Sequence, residues 1–347
     1  IDNIKRLRHH ASLGLWCGNN EMESFVKDGR WVSKPSEVRD YLFMFERIIP
    51  KVLQKYDPET FYWPSSPSSG GSFDDPQDPN RGDVHFWQVW HGNKPFSEYR
   101  KYGFRYLSEF GFQAFPSVKT VEEGISNDPH DWNIFSYVME KHQRNDAANG
   151  KILYYLQQTY KYPYDFSSLV YASQLLQADG IRYGVEHFRR NRGQCMGAVY
   201  WQLNDCWPVT SWSSIDYYGR WKALHYYAKR FFAPVMISCE EQNWMTASAD
   251  MNHQHFAFEK SIRLNVANET KEEKHLTVKW ALRKADASVI REESQEITVA
   301  PLSACWLDKV LLPEADLFEE YVSYHVEENG NILSSGTVIF SYPKYFH

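Results

Sequence analysis

The sequence predicts two parts of different class: an α/β region on a parallel sheet over residues 1–234, then an all-β sandwich over residues 235–347. Three observations carry this. Up to Pro234, short apolar runs alternate with stretches of helical periodicity, the pattern of right-handed βαβ units. Beyond Pro234, short strand-like segments alternate with turn clusters, as in an antiparallel sandwich. Finally, 347 residues suit two domains better than one, at about 100–200 residues each.

Each element follows from its residues. Residues 2–11 read as the end of a helix through Ile4, Leu7 and Arg8. Leu13-Gly14-Leu15-Trp16-Cys17 is almost wholly apolar, which predicts a strand buried on both faces of a parallel sheet. Over residues 36–56, Val38, Leu42, Phe45, Ile48, Ile49 and Val52 share one helical face, with Ser36 able to cap and Asp57-Pro58 as the stop. Thr60–Trp63 is a second compact strand. The Pro/Ser/Gly/Asp-rich segment 64–82 behind it is long for a loop, hence functional or disordered. His85–Trp90, Phe104–Phe110 and Met196–Trp201 continue the strand series, with helical stretches near 131–142 and 167–191. In the second part, Ile262–Val266, Leu276–Leu282, Glu296–Val299, Tyr321–Val326 and Ile332–Ile339 are strands. Asn268-Glu269-Thr270 and Asn329-Gly330-Asn331 read as hairpin turns.

Composition excludes several classes. The balance of 38 basic against 44 acidic residues argues against nucleic acid as a partner. No stretch nears the roughly 18 apolar residues of a membrane span, so no membrane partner is expected, and charges interrupt Ile1–Arg8 too often for a signal peptide. With 13 Trp, 23 Tyr and 21 Phe the chain is not disordered, and such rings suit either a large core or the flat faces that sugars bind. Cys17, Cys195, Cys206, Cys239 and Cys305 form no CxxC pair; they read as reduced thiols, which leans to a cytoplasmic location. HExxH, G-x-S-x-G, Walker and dinucleotide-binding patterns are absent, and the 13 histidines show no ligand spacing, so neither metal nor cofactor is expected.

Carboxylates at strand ends remain. Glu21 closes Trp16-Cys17-Gly18-Asn19-Asn20-Glu21, just past an apolar strand, and Glu109 stands near the end of Arg105-Tyr106-Leu107-Ser108-Glu109-Phe110. In a (β/α) barrel the C-terminal strand ends form the catalytic rim. Two carboxylates converging there, with amides alongside, suit glycosidic bond cleavage.

Trp16–Glu21, Trp63-Pro64-Ser65-Ser66-Pro67, Gly82-Asp83-Val84-His85-Phe86-Trp87, Ser108–Gln113 and Tyr200–Pro208, in this order, resemble the family 2 glycoside hydrolases and specifically the β-mannosidases. The resemblance covers residues 1–235 by motif and the remainder by architecture. It implies a (β/α)8 TIM barrel accompanied by immunoglobulin-like β-sandwich domains. Matched by motif, Glu21 resembles the acid/base after the fourth strand and Glu109 the nucleophile after the seventh. Asn20 resembles the residue that binds the sugar 2-OH, and Trp201 the aromatic platform of the −1 subsite. His85, Trp87 and His91 are rim candidates, and Glu23 is a rival acid that the motif register disfavours.

Counting from the motifs, residues 1–234 hold about five strands, the C-terminal part of the barrel, with the missing N-terminal part as its structural partner. The implied reaction removes terminal β-linked mannose from oligosaccharides or glycoconjugates with retention, by double displacement. Two alternatives stand beside it: a sugar-binding or structural unit without catalysis, and a related exo-β-glycosidase acting on galactose, glucuronate or glucosamine.

Overall fold

A computed structural model describes residues 1–247 and 256–347, which form two compact units. The first comprises Ile1–Phe86, Gly103–Phe110 and Gln194–Val199; the second comprises Trp87–Tyr102, Gly111–Gly193 and Tyr200–His347.

In the first unit, β1 (Leu15–Cys17) and β2 (Phe61–Trp63) pair in parallel, with Trp16 opposite Tyr62. A second sheet takes the order β3 (Val84–His85), β4 (Leu107–Phe110), β5 (Ala198–Tyr200), with β3 and β4 parallel. The apolar run at 13–17 predicts burial on both faces, yet Leu15 and Phe61 are 47% and 60% exposed. Among the described residues β1 pairs with β2 alone, so nothing covers its outer side. The strand expected over 85–90 stops at His85, and residues 88–92 form a turn.

The helical face over 36–56 is one continuous rod with a widened middle: Pro35–Phe43, a π-helical stretch Met44–Ile48, and Ile49–Tyr56. Pro50 has no amide hydrogen to return to the preceding turn, and the wider turn accommodates it. The start differs from the expected Ser36 cap. Pro35 occupies the first turn, and Glu37 accepts from the backbone N–H groups of Ser33 and Lys34, both at 3.0 Å. Segment 64–82 is ordered by carboxylates: Glu23 accepts from the Phe73 N–H at 3.0 Å, and Glu46 from the Ser72 hydroxyl at 2.8 Å.

In the second unit, the helix Phe166–Arg190 starts where Asp165 accepts from the Ser168 N–H at 2.7 Å. Gly180 lets the helix approach Phe96, whose ring a β-carbon there would meet at 2.6 Å. Where helix was expected near 131–142, a short 3₁₀ turn and the helix Tyr137–Lys141 stand.

The sandwich has two antiparallel sheets, in the orders β10-β7-β6 and β12-β11-β8-β9. Its strands are β6 (Val235–Gln242), β7 (Ser261–Asn268), β8 (Lys274–Lys284), β9 (Val289–Val299), β10 (Ser303–Leu311), β11 (Glu320–Glu328) and β12 (Asn331–Ile339). Ile237, Leu264 and Val266 from one sheet pack on Leu276, Val278, Leu282 and Val322 from the other. Asn329 and Gly330 make the expected two-residue hairpin, with φ of 52° and 80°. Asn268-Glu269-Thr270 is not a hairpin: it carries the chain from β7 in one sheet to β8 in the other. Asn268 is buried there and donates to the carbonyls of Glu272 and Ala300 at 2.8 and 3.1 Å, which braces the crossing.

Candidate active site

The site is built at the end of β1. Gly18 is required by close approach: a β-carbon would lie 2.3 Å from the Pro64 carbonyl oxygen and 2.6 Å from the Tyr62 hydroxyl. The chain can therefore run beside segment 64–66, where the Ser66 N–H donates to the Asn19 carbonyl at 3.0 Å and the Glu21 N–H to the Ser66 carbonyl at 2.7 Å. Asn19 closes the turn from its side chain, accepting from the Ser65 hydroxyl at 2.7 Å and the Met22 N–H at 3.0 Å. Glu21 comes next, in the left-handed region at φ 61° and ψ −3°, ahead of the helix Met22–Lys27. Such backbone strain in a non-glycine residue persists where surrounding contacts enforce it.

Parallel pairing of β3 with β4 sets His85 opposite Glu109. Nδ1 of His85 lies 2.8 Å from Glu21 Oε1 and 3.7 Å from Glu109 Oε2. One oxygen of each glutamate and this nitrogen all lie within 4.8 Å of one another. The imidazole is 2% exposed and the Glu21 and Glu109 side chains 25% and 13%, so both acids reach solvent past a buried ring. A trio this tight could also touch a cation. The 2.8 Å contact between imidazole and carboxyl has the length of a hydrogen bond.

The structure thus brings Glu21, Glu109 and His85 together. Asn20, next to Glu21, is exposed, and its side chain makes no hydrogen bond among the described residues. Glu23 is fully buried, bonds the Phe73 N–H and is pushed above the ordinary carboxyl range by burial. Its task is to hold the loop. Trp87, His91 and Trp201 belong to the second unit. There Trp87 lies 5.0 Å from the His91 ring and 6.1 Å from that of Trp212, and a β-carbon on Gly111 would meet the Trp201 carbonyl oxygen at 2.4 Å.

Sequence reasoning passed over Asp83, Ser66, Ser108 and Trp212. The first three lie inside the quoted motif blocks, so the signal was present without a role attached. Trp212 lies beyond the Tyr200–Pro208 block, and nothing in its neighbours separates it from a core aromatic.

Residues 260–345 match the mannosidase Ig/CBM-like domain. The chain is 33% identical over 312 residues to a β-mannosidase B of Aspergillus terreus, covering 84% of this chain and 36% of that protein. For the β-mannosidase B of Aspergillus clavatus the identity is 33% over 267 residues, covering 72% and 31%. The structure superposes on a β-D-mannosidase from Dictyoglomus thermophilum with a TM-score of 0.87 at 29% identity, covering 99% of this chain and 40% of that one. It shares its fold with the exo-chitosanase of Amycolatopsis orientalis, at a TM-score of 0.67 and 15% identity, over 97% of this chain and 37% of that one.

Fold and relatives together make this chain similar to part of the β-mannosidases, which are glycoside hydrolases. The chain spans about a third of the length of the curated relatives it matches, 36% and 31% for the two above.

Proposed function

We propose that this chain carries the catalytic carboxylates of a retaining exo-β-mannosidase. The observation that carries the reading is the placement of Glu21 and Glu109, with oxygens within 4.8 Å of each other and both open to solvent. Retaining glycosidases hold their two carboxyl groups about 5–5.5 Å apart, whereas inverting ones need about 6.5–9.5 Å to admit a water.

On this reading Glu109 attacks the anomeric carbon of a terminal β-mannoside. As the C1–oxygen bond to the leaving group breaks, Glu21 gives its proton to that oxygen. The products are a mannosyl ester on Glu109 and a free aglycone. Water then attacks C1, Glu21 takes a proton from it, and Glu109 leaves as a carboxylate. Asn20, with an unengaged amide beside the acid, suits the axial 2-OH that distinguishes mannose. Roles for His85, Trp87, His91 and Trp201 as substrate contacts come from the motif resemblance. The same reading takes residues 1–234 as part of a (β/α)8 barrel and residues 235–347 as its sandwich companion, with the exposed outer side of β1 and β2 covered by further barrel strands.

Leaving-group dependence tests it. In the full-length protein, Glu21→Gln should cut hydrolysis of unactivated mannosyl disaccharides by about 10²–10⁴-fold while sparing aryl mannosides that need no acid. Equal losses on both substrates would remove Glu21 as the acid. Glu109→Gln should abolish turnover on either, and a panel of aryl glycosides should single out mannose.

A further inference from the structure

Counting donors around Asp83 fixes the place of one hydrogen on His85. Asp83 Oδ1 accepts from Trp63 Nε1 at 2.9 Å and from the Ser68 N–H at 3.0 Å. Its Oδ2 accepts from the hydroxyls of Ser66 and Ser108, each at 2.6 Å. Four donors fill the lone-pair sites of a carboxylate. The hydroxyl of Ser66 has a single hydrogen, and that hydrogen points to Asp83. Ser66 Oγ also lies 3.0 Å from His85 Nε2, and with its hydrogen used it can only accept there. His85 Nε2 must therefore be an N–H. The opposite nitrogen, Nδ1, faces Glu21 Oε1 at 2.8 Å, and that contact holds one proton, which sits on Glu21 when the ring is neutral.

We propose that Asp83 is a positioning residue: through Ser66 it holds His85 with Nε2 protonated, so that Nδ1 presents its lone pair to the carboxyl of Glu21 and keeps the acid's proton aimed. The functional consequence rests on Glu21 being the acid/base. The tautomer itself does not, so the two can fail separately.

Asp83→Asn reverses the relay without changing its shape. The Trp63 and Ser68 N–H groups are fixed donors, so the amide oxygen must face them and the amide NH₂ must face the serines. Ser66 then accepts from Asn and turns its hydrogen to His85 Nε2. The ring becomes the Nδ1–H tautomer, and Glu21 receives a hydrogen bond as a carboxylate instead of giving one as an acid.

Nitrogen NMR on the histidine-labelled full-length protein reads this directly, with the His85 signals assigned by their loss in His85→Gln. The wild-type protein should show a protonated Nε2, and Asp83→Asn a bare one. Ser108→Ala, which leaves the Ser66–Asp83 bond intact, should keep the wild-type pattern. A bare Nε2 in the wild-type protein overturns the proposal, whether or not the variants fold. The same change in Ser108→Ala as in Asp83→Asn also overturns it, since that would mark a general disturbance. In turnover, Asp83→Asn should lower kcat on unactivated disaccharides by about 10²-fold with KM little changed, and spare activated aryl mannosides. A loss seen only in KM would remove the positioning role even if the tautomer stands.

Discussion

The sandwich strands run 8–11 residues and bury a continuous apolar interior, whereas β1 to β4 of the first unit have two to four residues each and leave Leu15 and Phe61 in solvent. Long strands pair many backbone groups and interleave side chains, so burial supplies the stability. Short strands end quickly, and polar residues crowd their ends: Asn19, Glu21, Ser66, Asp83 and Glu109. These groups are held by directed hydrogen bonds to one another and to the backbone. The contrast teaches that this chain holds its two regions together by different means. Apolar packing maintains one region, and matched donors and acceptors arrange the other.

The sharpest way to break that division is a charge buried where packing rules. Glu241, on β6, is 2% exposed, and its carboxylate meets Arg100 at 2.8 Å while its carbonyl takes a second Arg100 hydrogen at 2.9 Å. Burial pushes the Glu241 pKa up, but Arg100 and Arg182 outweigh it and hold the carboxyl below its ordinary range. Glu241→Gln strands a buried guanidinium, at a cost of about 3–5 kcal/mol in urea unfolding. A loss under about 1 kcal/mol would show that water reaches Arg100 and that the region is less closed than its burial implies.

A matched pair of leucines measures the contrast itself. Leu282 is fully buried between the sheets, and Leu15 is 47% exposed on β1. Leu282→Ala should cost about 2–5 kcal/mol through lost transfer energy and a residual cavity. Leu15→Ala should change stability by less than about 0.5 kcal/mol in this chain. A cost above about 2 kcal/mol for Leu15→Ala would mean that another surface covers β1 in solution, and sedimentation would then show association.

How much of this was legible depended on the range of the interactions. The helix Phe166–Arg190 and the hairpin at Asn329-Gly330 depend on neighbours in sequence, and both stood out. Glu21, His85 and Glu109 were visible through motif blocks, although convergence of the three needs β1, β3 and β4 in place. Strand β10 was missed because Ser303-Ala304-Cys305-Trp306 lacks a clear alternation. The exposure of β1 was missed because an apolar run reports what a strand could bury, not what is present to bury it. Asp83 was beyond local reasoning: its role exists only once Ser66 folds back beside His85. The motif register already disfavoured Glu23 against Glu21, and the full burial of Glu23 now separates the two.

Two buried histidines give the last and smallest test. His85 faces carboxyl groups, whereas His187, on the helix Phe166–Arg190, donates from Nε2 to the Tyr102 carbonyl at 2.8 Å and has the amide of Asn191 near its other nitrogen. Burial, with Arg190 and Arg100 nearby, lowers the His187 pKa from 6.5 to about 4, against the opposing pull of the Tyr102 hydrogen bond. A folded-state value below the unfolded one means that the unfolded chain binds the proton first. The stabilisation is therefore complete above about pH 6.5, and it is lost as pH falls towards about 4. At about pH 5 the loss amounts to about 2 kcal/mol. His187→Gln keeps a donor for the Tyr102 carbonyl but cannot titrate, so its unfolding free energy should fall less than that of the wild-type protein between about pH 7 and pH 5, by that amount. Parallel curves would mean that His187 takes up its proton as readily inside the fold as in the unfolded chain.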